Sequence, residues 1–341
     1  MSTTRPMPTL SDVAQRAGVS TATVSRCLNT PDQVTDATRA RVMDAIAELG
    51  YSPNFGARVM AAKRTHTIGA IIPTMENAIF ARGLQAFQEE LRTLGYTLLV
   101  ASSSYRQDIE EEQVRALVAR GAEGLLLIGH DRNPAVHGFL ERQDVPTLVA
   151  WAHDPHSHFP SIGFDNRISM EALVREVVAL GHTRFAMITA PTAENDRARG
   201  RFMGAVDALK GAGRSFDPAY IIETPYEIDR GAEAFRTLMG LSPRPTAIIC
   251  GNDVLAIGAL RCAREMGISV PDDVSITGFD DIELAQVAVP ALATVHVPHR
   301  RMGREAAQML AAMIEEPQPM KRAQLEPQLC LRASLGPVPQ S

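Results

Sequence analysis

The stretch Thr9 to Asn29, TLSDVAQRAGVSTATVSRCLN, has to be read as two short helices meeting at a sharp bend. Thr9 precedes an apolar-periodic run and stands three residues before Asp12, the spacing of a capping box at a helix start. Val13, Ala14 and Ala17 supply the inner face. Gly18 supplies the positive φ that ends the helix, Val19 plugs the angle, and Ser20 caps a second helix beginning near Thr21. On that second helix Thr21, Ala22, Thr23, Ser25 and Arg26 face outward while Val24 and Leu28 point inward. A surface of small hydroxyl and methyl groups around one arginine suits the major groove of DNA. A plain αα-hairpin at the edge of a helical domain has the same outline, so the motif needs support from the rest of the chain.

The next segment, VTDATRARVMDAIAELGYSPN, places Thr35 as a cap, Val42, Ile46 and Leu49 at helical spacing, and Gly50 as a stop. It closes a small three-helix core. FGARVMAAKRTHT follows, too short and too polar for a core helix, and reads as a linker. The chain has 341 residues and a net charge of −5, but residues 1–66 carry +3 and the remainder −8. The basic end is therefore the helix-turn-helix end, where contact with nucleic acid is expected. Cys27, Cys250, Cys262 and Cys330 are scattered without a CxxC pair or histidines at metal spacing, which predicts reduced thiols and a cytoplasmic setting. The sequence shows no secretory h-region and no run long enough to span a membrane.

From Ile68 onward, short apolar runs alternate with amphipathic segments: IGAIIP, TLLVAS, GLLLIG, PTLVAW, RFAMIT, YIIET, TAIICG and VSITGF are the runs. Such alternation predicts parallel sheets covered by helices on both faces, one sheet from about 68 to 162 and another from about 163 to 290. GxGxxG after a strand, GxxxxGK[ST] and GxSxG are all absent, which argues against a nucleotide cofactor or a serine hydrolase. His130, His153, His156 and His158 have no motif partner, and Asp280 with Asp281 lacks further ligands for a metal. Neither a catalytic nor a metal site is expected.

LSDVAQRAGVSTATVSR, ELGYSPN, LGHTRFAMITAP, GNDVLAIGAL, VSITGFDDIELA, PALATVHVP and the terminal LRAS occur in this order. Together they resemble the lac repressor / galactose repressor family of bacterial transcription regulators across essentially the whole chain. PTMENAIF, SSSYRQDIEEEQVRALVARGAEGLLL and IGFDN look most like its gluconate-type repressors. The resemblance implies an N-terminal all-α helix-turn-helix domain (1–53), a hinge helix and linker (54–66), and an α/β two-lobed domain like the periplasmic binding proteins (67–341). Its first lobe would span about 67–162 plus 293–318, and its second about 163–290 plus 322–336. The implied protein is a cytoplasmic homodimeric repressor without a cofactor, bound to operator DNA and controlled by a sugar or sugar acid.

On the same resemblance, Thr21 and Ala22 set operator preference. Both side chains are small, so direct readout shifts to Arg26, whose guanidinium can bind guanine bidentately. Thr9, Ser20, Thr23, Ser25, Asn29, Thr35, Tyr51 and Asn54 fall where the family holds phosphates, and Arg58 lies near them. Met60 replaces the usual leucine wedge of the hinge helix. For the effector, the first lobe offers Ile79, Phe80, Trp151 and, at the crossover, Asp165. The second offers Asn195, Arg197, Arg201, Tyr226, Asn252 and Asp280. Trp151, the only tryptophan, stands where other members often carry aspartate, and it fits either a stacking wall or the core. Arg199 reads as a solvated helix face. An anionic sugar acid would use the guanidinium groups well, so a gluconate-like effector is expected first, and a neutral sugar fits the same donors. A purine-responsive regulator or a sugar-binding protein without a regulatory role are the competing readings.

Overall fold

The computed structural model describes residues 7–52, 64–76, 78–316 and 322–339. Two compact units divide at Thr65 and His66. The linker positions Asn54, Arg58 and Met60 lie outside the described residues.

In the first unit α1 (Leu10–Ala17), α2 (Thr21–Asn29) and α3 (Asp36–Leu49) pack around Val13, Ala14, Ala17, Val24, Cys27, Val42 and Ala45. The capping box forms, with Asp12 N donating to Thr9 Oγ1 at 3.3 Å and Thr9 N to Asp12 Oδ2 at 2.7 Å. Gly18 takes φ 65°, the left-handed value that turns the chain into α2 without steric cost. Thr35 precedes α3 with extended backbone, yet its hydroxyl donates to Thr38 Oγ1 instead of accepting from a helix N–H. The expected side-chain cap is thus absent there. Arg16 and Glu48 join α1 to α3 at the surface.

The second unit is built on two parallel sheets. The first has the order β11-β5-β4-β3-β1-β2, from β1 (Thr67–Ile72), β2 (Thr97–Ser102), β3 (Gly124–Ile128), β4 (Thr147–Ala150), β5 (Ser161–Gly163) and β11 (Ala323–Gln324). The second has the order β7-β6-β8-β9, from β6 (Phe185–Thr189), β7 (Ile221–Glu223), β8 (Ala247–Cys250) and β9 (Ser275–Thr277). β1, β3, β4, β6 and β8 are buried at every position, as strands covered on both faces must be. Pairing of Ala323 with Ile162 keeps residue 323 in the first lobe's sheet, so the return to the second lobe falls after it and not at the expected 322. β10 (Thr294–His296) and β12 (Gln328–Cys330) pair antiparallel beside the crossovers. These short strands carry no alternation that could announce them.

Helices α4 (Ala78–Thr93), α5 (Gln107–Ala119), α6 (Pro134–Gln143) and α12 (His299–Glu315) cover the first sheet. α7 (Asn166–Ala179), α8 (Asp196–Gly211), α9 (Ile228–Met239), α10 (Asp253–Glu265) and the short α11 (Glu283–Val287) belong to the second lobe. α4 and α12 approach so closely that a Cβ on Gly303 would stand 2.0 Å from the Gly83 carbonyl oxygen. Backbone cannot yield there. Gly303→Ala is therefore expected to destabilise the second unit by about 2 kcal/mol through overpacking, read as a lower urea midpoint at unchanged slope.

Candidate functional site: a groove-reading helix and an inter-lobe cleft

The outer face of α2 is open. Thr21, Ala22, Arg26 and Asn29 are exposed, with Thr23 and Ser25 half-buried beside them. Ser20 spends its hydroxyl on the cap, accepting from Thr23 N at 3.2 Å, and Asn29 Nδ2 donates to Ser25 Oγ at 3.2 Å. Among the described residues, no ion pair or hydrogen bond engages the Arg26 guanidinium. Its charge is therefore available to an incoming acceptor. Thr9 and Thr35 are exposed, and Tyr51 packs against the three-helix core with its ring half-buried.

The cleft of the second unit lies at the carboxyl ends of both sheets, where open α/β sheets bind ligands. Ile79, Phe80, Tyr105 and Trp151 line it from the first lobe, and Asn195, Arg197, Arg201, Tyr226 and Asn252 from the second. Eight of the ten residues expected there are thus gathered in one pocket. Asp280 reaches it through Arg201. Asp165 does not, because its carboxylate accepts from Arg167 N at 2.8 Å and Ile168 N at 2.9 Å and so caps α7. The crossover contributes Asn166 instead: its amide oxygen accepts from Arg201 Nε at 2.8 Å and its amide nitrogen donates to the Trp151 carbonyl at 3.1 Å.

Arg201 is 4% exposed, and every nitrogen of its guanidinium is engaged. Besides Asn166 it donates to the Gly251 carbonyl at 2.8 Å and to Asp280 Oδ1 at 3.1 Å, and its flat face lies 3.9 Å from the Phe279 ring centroid. Burial pushes the Asp280 carboxyl up to about 6, opposed by the adjacent Arg201. Arg197 pairs with Asp196 at 2.8 Å and donates to the Ile128 carbonyl at 3.1 Å. Each cleft arginine is therefore already matched by a carboxylate. Of the side chains expected at the cleft, Asn252 and Asp280 each keep one buried polar atom without a partner among the described residues, Nδ2 and Oδ2, a donor and an acceptor.

The lobes are drawn together over this pocket. Asp196 Oδ2 accepts from His130 N at 2.7 Å, and Arg199 pairs with Asp131 at 2.7 Å, so Arg199 bridges the lobes instead of forming a solvated face. Arg82 and Glu283 make a second bridge. The deep cavity keeps only about 20 Å³, room for little more than a water molecule. Outside it, between Thr74, Ser104, Glu194 and Glu227, lies a vestibule of about 580 Å³, within the range of small-molecule sites. Tyr105 and Tyr226 line both spaces, their rings 5.9 Å apart across the cleft. Tyr105 was not legible in the sequence. It follows Ser104 in a turn where both residues have positive φ, 53° and 60°, and only the closed fold aims it at the cleft.

Residues 9–54 match the model of bacterial regulatory proteins, lacI family, and residues 174–335 match that of a periplasmic binding protein-like domain. The HTH-type transcriptional repressor CytR of Escherichia coli (strain K12) is 34% identical over 89% of this chain and 88% of its own length. The HTH-type transcriptional regulator GntR of Pseudomonas aeruginosa is 33% identical over 90% of this chain and 89% of its own. A crystal structure of the lac repressor dimer, bound to operator and an anti-inducer, superposes with a TM-score of 0.85 at 27% identity, covering 97% of this chain and 100% of that one.

The contrast between the buried Arg201 and the bridging Arg199 can be measured. Arg201→Lys cannot serve three partners and leaves Asp280 poorly compensated, so a loss of about 3 kcal/mol in urea unfolding is expected. Arg199→Ala removes a half-exposed pair and should cost less than about 1 kcal/mol.

Proposed function

The chain belongs to the lacI family of bacterial regulatory proteins, and we propose that it acts as a homodimeric repressor whose cleft takes a neutral, hydroxyl-bearing effector of sugar type. It is a DNA-binding transcription regulator under ligand control, with a helix-turn-helix unit ahead of a periplasmic-binding-protein-like body. None of the described helices is long and apolar enough to cross a membrane. The relatives are transcriptional repressors and regulators by name, which makes catalysis an unneeded assumption.

The observation that carries the effector reading is a pocket walled by Phe80, Trp151 and Tyr226 with the unmatched Asn252 Nδ2 on its lining and, behind Arg201, the unmatched Asp280 Oδ2. A sugar hydroxyl accepts from the amide and donates to the carboxylate, while an aromatic wall receives the apolar face of the ring. Charge argues for neutrality. The expectation of a sugar acid rested on open guanidinium groups, but Asp280 and Asp196 already offset them, and Glu76, Glu194 and Glu227 line the vestibule. Relatives of different names stand at 34% and 33% identity, so identity does not single out the gluconate-type subgroup. Titration calorimetry should give a tighter complex with one of a panel of neutral sugars than with gluconate. A gluconate complex tighter than all of them would reject the neutral reading. Deleting residues 1–66 should leave sugar affinity intact while removing DNA binding.

On DNA, Arg26 reads a guanine edge, Thr21 and Ala22 add modest contacts, and Thr9, Ser20, Thr23, Ser25, Asn29, Thr35, Tyr51, Asn54 and Arg58 meet phosphate, with Met60 as the minor-groove wedge. With fragments selected from a randomised DNA library, Arg26→Ala should lower specific affinity by about 1–3 kcal/mol, more than Ala22→Ser does. An Ala22→Ser variant worse than Arg26→Ala would mean that α2 docks in another orientation.

Dimerisation is assigned to a groove on the second lobe, between α10 and α11, lined by Ile257, Leu260, Leu284, Val287 and Val289. Val287 and Val289 are 72% and 84% exposed, and such a contiguous apolar edge fits a subunit contact. Val287→Asp should raise the dimer dissociation constant by at least about 30-fold in sedimentation, the effect of losing about 2 kcal/mol at an interface centre. A wild-type dissociation constant in that variant would move the interface elsewhere.

A further inference from the structure

Trp151 leaves β4 with φ 63°, in the left-handed region that a bulky residue occupies only when its surroundings hold it there. The indole fills the space above Gly83, where a Cβ would come within 2.5 Å of it, and meets Phe80 edge-on at 5.5 Å. Its Nε1 donates to His299 Nδ1 at 3.2 Å. An indole N–H is a donor only, so His299 Nδ1 carries no proton, and His299 Nε2–H donates to the Asp280 carbonyl at 3.2 Å. Burial pushes the His299 pKa down to about 3, consistent with a neutral ring. From Asp280 the path continues through its carboxylate to Arg201, from Arg201 Nε to Asn166, and from the Asn166 amide to the Trp151 carbonyl.

The circuit closes on the residue from which it started. Trp151 and His299 stand in the first lobe, while Asn166, Arg201 and Asp280 stand in the second, so the circuit straddles the pivot between them. Two of its members, Trp151 and Arg201, line the deep pocket.

We infer that His299 is a positioning residue of the effector site, one that decides what Trp151 offers a ligand; the inference rests on the cleft being that site. With its N–H spent on His299, Trp151 presents an apolar wall and no donor. Selection at this wall goes by stacking, and hydroxyl recognition falls to Asn252 and Asp280. His299 also ties the wall to the Asp280 backbone, so a ligand that moves the indole pulls on the second lobe.

The sole tryptophan makes this measurable in the full-length protein. His299→Asn keeps an amide oxygen where Nδ1 was and preserves the acceptor for the indole. His299→Gln places its amide where Nε2 was, keeping the Asp280 link but leaving the indole N–H bare, and His299→Leu keeps neither. Wild type and His299→Asn should share a short-wavelength emission maximum and resist acrylamide quenching. His299→Gln and His299→Leu should emit at longer wavelength and quench more readily. With D-galactose, D-gluconate and adenosine as probes, affinity for the one that binds should fall about tenfold in the Gln and Leu variants and stay within about threefold in the Asn variant. If the Leu variant does not fold, the Asn and Gln pair decides alone. Equal emission from those two, or an equal loss of affinity, overturns the positioning role. Wild-type protein that responds to none of the probes counts against the effector reading, while the emission contrast still decides how the indole is held.

Discussion

A guanidinium withdrawn from water has to be met on all sides, and Arg201 imposes that demand on the body of this protein. Its partners come from places far apart in the chain: Asn166 at the first crossover, the Gly251 carbonyl after β8, and Asp280 beyond β9, with the Phe279 ring beneath. All of them belong to the second lobe, so any distortion of that lobe that separates these groups leaves a buried charge uncompensated. The cleft is consequently built around an ion pair that serves the fold first. What that pair leaves open at the cleft is the amide of Asn252 and aromatic surface, with the second oxygen of Asp280 unpartnered behind Arg201.

Local chemistry explains why some of this was legible in the sequence. The capping box at Thr9 and Asp12, the left-handed Gly18 and the inward Val13, Ala17 and Val24 are decided within a few residues, and the first unit follows them closely. The eight apolar runs likewise became strands, buried throughout in β1, β3, β4, β6 and β8 and only partly covered in the edge strands β2 and β7. β7 and β9 have only three residues each and were still announced by their runs, whereas β5, β10, β11 and β12 lie outside those runs and owe their pairing to crossovers that bring distant segments together.

The cleft residues entered through family resemblance, and the resemblance failed at Asp165 for a physical reason. An aspartate just before a helix finds backbone N–H groups nearer than any ligand, and Asn166 beside it points the other way. Tyr105, His299 and the bridging role of Arg199 left no mark in the sequence. Their function depends on which lobe they face after two sheets have closed on one another, and no periodicity encodes that. Arg199 looks like any charged residue on a helix until Asp131, 68 positions earlier, is brought to 2.7 Å from it.

The contact between Gly83 and Gly303 has a mechanical meaning. α4 begins with Ile79 and Phe80 at the cleft, α12 begins with His299 behind Trp151, and within about a turn of those ends the two backbones touch. With no side chains between them to compress or rotate, the helices have no slack at this point. The aromatic wall at the cleft is therefore backed by two helix backbones in direct contact, not by a layer of side chains that could rearrange.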